Sequence, residues 1–325
     1  MSKIKFQGEE YERPDDVSVL DTLLDQGLHI PHGCKSGVCQ SCLMRATEGE
    51  VPDEAQAPLK EHQKERHYFL ACSCFPEGDL SVVLPADDEV HTYQVQVLEK
   101  TKLNNNIIGL KLTIPQDFKY RAGQFINLIK DIDTQRSYSL ASVPGRDEFL
   151  ELHVKLIENG IVSSWLDKAI NTGDNLTISE AHGECFYQVV DIAQSLLLIG
   201  TGTGLAPLVG VVRDALQKGH TGEIYLYHGA SSSEELYLKE TLIKLSNAHH
   251  NLHYFPCVSR GDAAASEIKG RANEIAFEQH NHLKGYKIYL CGNPNMTEAT
   301  RKKAYLAGAA LKDILVDAFK FASSK

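Results

Sequence analysis

Three cysteines fall within nine positions of the stretch HGCKSGVCQSC, residues 32–42: Cys34, Cys39 and Cys42, separated by four and then two residues. A fourth, Cys72, follows in YFLACSCFPEGDL. Thiols spaced this way converge on one compact group from a loop, whereas a helix or strand would send them to different faces. Gly37, between the first two, gives that loop the freedom to turn backbone N–H groups toward sulfur. The chain has eight cysteines, and its start, MSKIKFQGEEYE, shows no apolar signal-peptide region. Both points favour metal or redox use over a disulfide framework, and a cytoplasmic setting.

C-x4-C-x2-C with a distant fourth cysteine is the ligand spacing of a [2Fe-2S] cluster, which makes Cys34, Cys39, Cys42 and Cys72 the candidate metal ligands. Zinc also takes four thiolates, but its usual paired two-residue spacings are missing, and Cys72-x-Cys74 is a poor second half for one. Four free buried cysteines fit a glycine-bearing polar loop less well still. Cys74 reads as a small packed side chain.

At 325 residues the chain is too long for one ordinary core. Residues 1–90 show short strands (KIKF, LSVVLP), one helix (VSVLDTLLDQG) and long loops, ending at the polar joint ADDEVHT, residues 86–92. Residues 91–190 carry six β-rich runs split by turn formers (YQVQVLEKT, IIGLKLTI, QFINLI, RSYSLAS, FLELHVKLI, NLTISEA), with one helix, IVSSWLDKAI. That spacing predicts an antiparallel barrel. Residues 191–325 alternate buried strand and helix (SLLLIG, APLVGVVRDALQKG, EIYLYHGA, NLHYFPCVS, YKIYLCG), which predicts a parallel α/β sheet.

Charge is unevenly placed. Residues 1–88 hold 17 acidic and 8 basic side chains, and the remainder 26 and 25. Such a bias reads either as a solvated face or as a docking surface for a partner with a basic face. It argues against nucleic acid, which a net acidic chain repels. No apolar run approaches the roughly 20 residues that span a bilayer, so no membrane insertion is expected.

Three further motifs matter. RSYS, Arg136–Ser139, lies in the β-rich segment, and ENGIVSSWL follows with Gly160, Ile161, Val162 and Ser163 at a helix start, where free N–H groups suit a pyrophosphate. Ordinary helix capping explains Ser163 and Ser164 equally well. LLLIGTGTGLAP places Gly200, Thr201, Gly202, Thr203 and Gly204 between a buried strand and a helix. This is not the G-x-G-x-x-G fingerprint, because Leu205 stands where the third glycine belongs.

Together the segments resemble a plant-type ferredoxin domain of β-grasp fold, followed by the flavin and nicotinamide domains of the ferredoxin–NADP reductase superfamily. The order is similar to that in the reductase components of bacterial oxygenases, and some reductases of deoxysugar biosynthesis share it. The resemblance covers nearly the whole chain and implies three cofactors: a [2Fe-2S] cluster, FAD, and NADH or NADPH. It implies that Arg136 neutralises the flavin phosphate, with Ser137 beside it in the motif. Tyr138 lies along the flavin ring and Ser139 near its N5. His153, Val154 and Lys155 pass the ribityl and adenosine portion. The G-T-G-x-A-P loop meets the nicotinamide nucleotide, and YLCGNPNM places Cys291 and Gly292 beside the nicotinamide. Tyr138, Ser139 and Cys291 are thus the implied catalytic residues, and Phe319 covers the flavin. EAHG, Glu180–Gly183, departs from the family's G-P-x-G.

The resemblance further implies an enzyme, an electron-transfer reductase that takes a hydride from NAD(P)H onto FAD and passes single electrons through the cluster to a protein acceptor such as an oxygenase. A free-standing flavin or ferric reductase and the reductase of a deoxysugar dehydratase are the other readings. Ser259 and Arg260 in VSRG match pairs that hold a 2′-phosphate, while Ser231, Glu234 and Glu235 argue the other way, so the choice of nucleotide stays open. His280 and His282 read as surface histidines with no third ligand at metal spacing.

Overall fold

The computed structural model describes residues 2–86 and 91–319. The joint expected at residues 86–92 falls mostly on 87–90, outside the described residues.

The first segment is a mixed five-stranded sheet with helices against it. Its elements are β1 (Ser2–Phe6), β2 (Glu9–Arg13), α1 (Val19–Asp25), β3 (Leu43–Glu48), α2 (Asp53–Gln56), α3 (Glu61–Glu65), β4 (Tyr68–Leu70) and β5 (Leu80–Val83), in sheet order β2-β1-β5-β3-β4. β1 alternates strictly, burying Ile4 and Phe6 and exposing Lys3 and Lys5. β1 runs parallel to β5 and antiparallel to β2. In α1, Ser18 caps the N-terminus by accepting from the Asp21 N–H, and Val19, Leu20 and Leu23 form the buried face. Sequence periodicity shows β1 and β5 but not β2, whose EEYER carries no apolar alternation because it is an edge strand. Arg13, at the end of β2, is buried and its guanidinium donates to Ser2 Oγ and to the carbonyls of Pro14, Asp15, Val17 and Pro76.

The second segment is the antiparallel barrel the spacing predicts. β6 (Thr92–Lys102), β7 (Ile107–Leu112), β8 (Phe125–Asp131), β9 (Thr134–Ser139), β10 (Leu150–Lys155) and β11 (Asn175–Ser179) run in the order β10-β7-β6-β11-β8-β9. A bridge between Leu140 and Leu152 ties the two edges together. Inside lie Val95, Leu110, Ile126, Leu128, Leu152 and Ile178. Helix α4 (Ile161–Lys168) leads away from β10 and packs Val162 and Leu166 on this core.

The third segment is wholly parallel. β12 (Leu196–Thr201), α5 (Leu205–Gln217), β13 (Ile224–Ala230), α6 (Lys239–Ala248), β14 (Leu252–Val258), β15 (Ile268–Lys269), α7 (Ala272–Gln279), β16 (Lys287–Gly292), α8 (Pro294–Leu306) and β17 (Ile314–Ala318) form the order β15-β14-β13-β12-β16-β17. Strand order reverses on either side of β12, so a crevice opens at the carboxyl ends of β12 and β16. The barrel and this sheet share a core, in which Ile107, Cys185 and Tyr187 pack with Leu196, Leu208 and Val211. Among the described residues no helix is long and apolar enough to cross a membrane.

Candidate functional site

Cys34, Cys39 and Cys42 sit on the loop between α1 and β3, and Cys72 in the single helical turn that follows β4. The loop turns through left-handed backbone at Lys35, Gly37 and Gln40. These turns aim N–H groups inward: Cys34 N donates to Cys39 Sγ at 3.3 Å, Cys39 N to Cys34 Sγ at 3.4 Å, Gly37 N to Cys72 Sγ at 3.2 Å and Cys72 N to Cys42 Sγ at 3.4 Å. Gly37 is required here, since at φ 75° an added Cβ would stand 2.6 Å from Ser73 Oγ.

The thiols associate two by two, Cys34 with Cys39 and Cys42 with Cys72. Among the described residues no three His, Cys, Asp or Glu side chains converge as ligands of a single ion. Two pairs of thiols suit a binuclear cluster, with one pair of thiolates per iron. Ser36 and Ser41 bury hydroxyls that turn toward Cys34 and Cys39 and have no other partner, as donors to cluster sulfur require. Cys74 is fully buried in the hydrophobic core and holds nothing.

The cluster loop abuts a cavity of about 190 Å³. Arg136, Ser137, Tyr138 and Ser139 on β9 line it, as do His153 and Lys155 on β10 and Gly160, Ile161, Val162 and Ser163 at the start of α4. Cys34 and Cys39 form part of the same wall. Burial pushes the Tyr138 phenol well above its ordinary range, so it stays neutral. His153 is buried, and its two ring nitrogens meet Tyr237 Oη at 3.1 Å and Glu151 Oε1 at 3.4 Å. Ser163 Oγ accepts from the Ile157 N–H and so braces the loop before the helix, whereas the N-cap is Gly160 and no side chain caps the helix. Val154 takes the opposite face of β10 and is fully buried in the barrel core. In EAHG the strand pairing survives the departure, because Phe125 and His182 exchange backbone hydrogen bonds of 2.9 and 2.8 Å.

A second cavity, of about 590 Å³, opens at the carboxyl ends of β12, β13 and β16. Thr201, Gly202, Thr203, Gly292 and Ser259 line it, and so do Ser231 and Glu235. Lys155, Thr203 and Phe319 line both cavities, so the two spaces meet at these residues. The remaining candidates stand back from the walls. Gly200 packs against Leu208. Gly204 lies against the Cys291 carbonyl. Cys291 is fully buried with its Sγ 3.4 Å from Cys185 Sγ, and Arg260 lines neither cavity. His280 is hydrogen-bonded to Tyr227 Oη at 3.0 Å, and His282 is exposed.

Four residues that contribute here were not singled out from the sequence. Arg271 and Asn273, at the start of α7, line the second cavity. Asp317 on β17 lines the first and accepts from Ser139 Oγ. Asn127 on β8 reaches the cluster loop, and its only sequence signal is a polar residue inside the apolar run QFINLI.

Three family models cover most of the chain: a 2Fe-2S iron-sulfur cluster binding domain over residues 3–77, an oxidoreductase FAD-binding domain over 94–187 and an oxidoreductase NAD-binding domain over 198–302. The phenol hydroxylase P5 protein of Acinetobacter pittii (strain PHEA-2) is 30% identical over 90% of this chain and 86% of its own. The reductase component DmpP of phenol 2-monooxygenase from Pseudomonas sp. (strain CF600) is 30% identical over 97% of this chain and 93% of its own. Among solved structures, the Amycolatopsis cytochrome P450 reductase GcoB superposes with a TM-score of 0.70 at 26% identity, over 98% of this chain and 99% of its own.

Proposed function

The chain belongs to the family of reductases in which a 2Fe-2S domain, an FAD-binding domain and a nicotinamide-binding domain follow one another, and from that membership we propose how its residues divide the work and what it serves. It is an NAD(P)H-dependent electron-transfer oxidoreductase with FAD and a [2Fe-2S] cluster as cofactors. When bound, the nicotinamide supplies a hydride, the flavin takes it and yields electrons singly, and the cluster passes them on. The protein supplies position and electrostatics.

In this reading the three units span residues 1–90, 91–190 and 191–325. Cys34, Cys39, Cys42 and Cys72 hold the cluster. Arg136 offers a planar fork for phosphate oxygens, and Tyr138 an apolar, neutral ring face. The N-terminus of α4 supports the pyrophosphate. Thr201, Gly202 and Thr203 receive the nicotinamide nucleotide, and Phe319 stands where the two cavities meet. Cys291 acts through packing behind the loop, since its thiol lines neither cavity.

The observation that carries the reading is the shared wall: two cluster ligands, Cys34 and Cys39, line the same cavity as the RSYS motif, which in turn joins the second cavity at Lys155, Thr203 and Phe319. Such an arrangement gives a continuous route from nucleotide to cluster within one chain.

The acceptor is an oxygenase component whose docking face is basic. Exposed Glu9, Glu12 and Asp16 belong to the acidic surplus of the first segment, and steering between opposite charges raises encounter rates. Anaerobic titration with NADH, read by absorbance and low-temperature EPR, tests the relay: flavin bands bleach and a reduced [2Fe-2S] signal appears. Flavin bleaching with no cluster signal overturns it. Cytochrome c, a basic acceptor, tests the docking face, since its reduction slows as salt rises and a flat salt response refutes the charge argument.

A further inference from the structure

Asn127 is an amide buried to 3% exposure on a strand whose neighbours Phe125, Ile126 and Leu128 are all buried apolar residues. Burying an amide is costly unless its polar atoms are all satisfied. Here they are: Nδ2 donates to the Cys39 carbonyl at 2.7 Å, and Oδ1 accepts from Ser137 Oγ at 2.7 Å. Because a carbonyl can only accept, the Cys39 contact fixes which end of the amide faces the cluster loop. The backbone is held as well, since Asn127 N donates to Ser179 Oγ at 2.9 Å. Asn127 and Ser137 are direct partners in the β8–β9 ladder. One side chain therefore ties a strand of the flavin motif to the backbone of a cluster ligand.

Other contacts run along the same β8–β9 hairpin. At its turn, His29 Nδ1 meets Asp133 Oδ2 at 2.7 Å. Beside it, Gly33 lies so close that an added Cβ would stand 3.3 Å from the Gln135 carbonyl. Further away, Lys60 Nζ faces Glu180 Oε1 at 3.8 Å, which gives the departure from G-P-x-G a place in the same interface. The charged contacts are exposed and weak. The buried contact is the amide, and it is the one that touches a ligand residue.

We propose that Asn127 is a positioning residue for electron transfer, holding the cluster loop against the flavin cavity through the Cys39 carbonyl. The inference rests on the relay reading above. Electron transfer falls steeply with the gap between donor and acceptor, so a loop that spends less time docked fills its cluster more slowly. Residues of the cluster loop line only the first cavity, so the meeting point of the two cavities at Lys155, Thr203 and Phe319, where a hydride would pass, does not need that loop.

The test uses the full-length, cofactor-loaded protein and two variants, Asn127→Asp, which keeps the size but removes the donor, and Asn127→Leu. Stopped-flow absorbance follows flavin bleaching and cluster reduction separately after mixing with NADH. Dithionite-reduced samples give the cluster EPR signal independently of the relay. The expected result is cluster reduction slowed by about tenfold relative to flavin reduction, the shift produced by losing one buried hydrogen bond, with an unchanged dithionite-reduced signal. If both steps slow together, or neither changes, Asn127 is a structural residue only and the proposal fails. If the unaltered protein reduces its flavin but never its cluster with NADH, the relay reading itself fails.

Discussion

Ser139 Oγ donates to Asp317 Oδ2 at 3.1 Å, joining the last residue of the flavin motif to the final described strand. Burial pushes the Asp317 carboxyl up to about 6, and the Ser139 hydroxyl offsets only part of that. The ionised form places a negative charge in the wall of the first cavity, where it would favour positive charge on a nicotinamide ring brought up to that cavity from the second. The rate of flavin bleaching by NADH is therefore expected to rise as pH increases through about 6, and Asp317→Asn to flatten that rise. Stability runs the other way. A carboxyl whose folded value lies above its ordinary 3.8 stabilises the fold at low pH, and this contribution is lost as pH climbs from 3.8 to about 6. Its size is on the order of 3 kcal/mol, so Asp317→Asn is expected to be the more stable protein at pH 8. Melting curves at pH 5 and pH 8 check the sign, and a larger gain for the variant at pH 5 contradicts it.

Glu235 bears on the choice of nucleotide. Its carboxylate lines the second cavity, fixed by the Ser231 N–H at 3.1 Å, whereas Arg260, the residue matching a 2′-phosphate site, does not line it. A carboxylate accepts from a ribose hydroxyl and repels a phosphate dianion. Arg271 stands in the same cavity and limits the effect. NADH is expected to be preferred by about tenfold in kcat/KM, and Glu235→Gln to narrow the gap through KM for NADPH. Steady-state kinetics with both nucleotides decide it, and a native preference for NADPH sinks the assignment.

Two glycines of one loop are glycine for different reasons. At Gly204 an added Cβ would stand 2.4 Å from the Cys291 carbonyl oxygen, so backbone must move. At Gly202 there is open space, but φ is 55°. Gly204→Ala is expected to cost at least 1–3 kcal/mol and to weaken nucleotide binding. Gly202→Ala is expected to cost about 1 kcal/mol, the strain of left-handed backbone. Thermal melts of the two variants give the order directly, and equal losses refute the contact argument.

What the sequence made legible was local. The loop carrying Cys34 and Cys39, RSYS and the loop after β12 are each stretches of consecutive residues, and the structure brings them to the walls of two adjoining cavities. Val154 and Cys291 show the limit, since both belong to matching motifs, yet each side chain is fully buried away from the cavities. A strand motif names both faces, and only the fold says which one meets the ligand. Arg271 and Asp317 lie about 70 and 25 residues from the motifs at Gly200–Gly204 and Cys291, and strand order in the parallel sheet brings them in. The Asn127–Cys39 contact spans 88 positions and two sheets, beyond the reach of any local pattern.

The cluster assignment yields the sharpest contrast between neighbouring cysteines. Cys42 and Cys74 are equally buried, at 2% and 0%, so exposure does not separate them. Position does: Cys42 Sγ accepts from the Cys72 N–H at the convergence of the loop, whereas Cys74 packs in the sheet core. Cys42→Ala removes one of the two thiolates, Cys42 and Cys72, that pair on that side of the site. The variant is expected to lose the cluster absorbance and EPR signal entirely and to reduce cytochrome c at least 100-fold more slowly. Ferricyanide, which takes electrons at the flavin, is expected to be reduced at close to the native rate. Heating is expected to melt the first segment early, because metal binding there is coupled to folding. The barrel and the parallel sheet, which hold cores of their own, keep their transition. Cys74→Ala is expected to retain the cluster at native occupancy. A cluster that survives Cys42→Ala and disappears with Cys74→Ala reverses the assignment of Cys42 over Cys74.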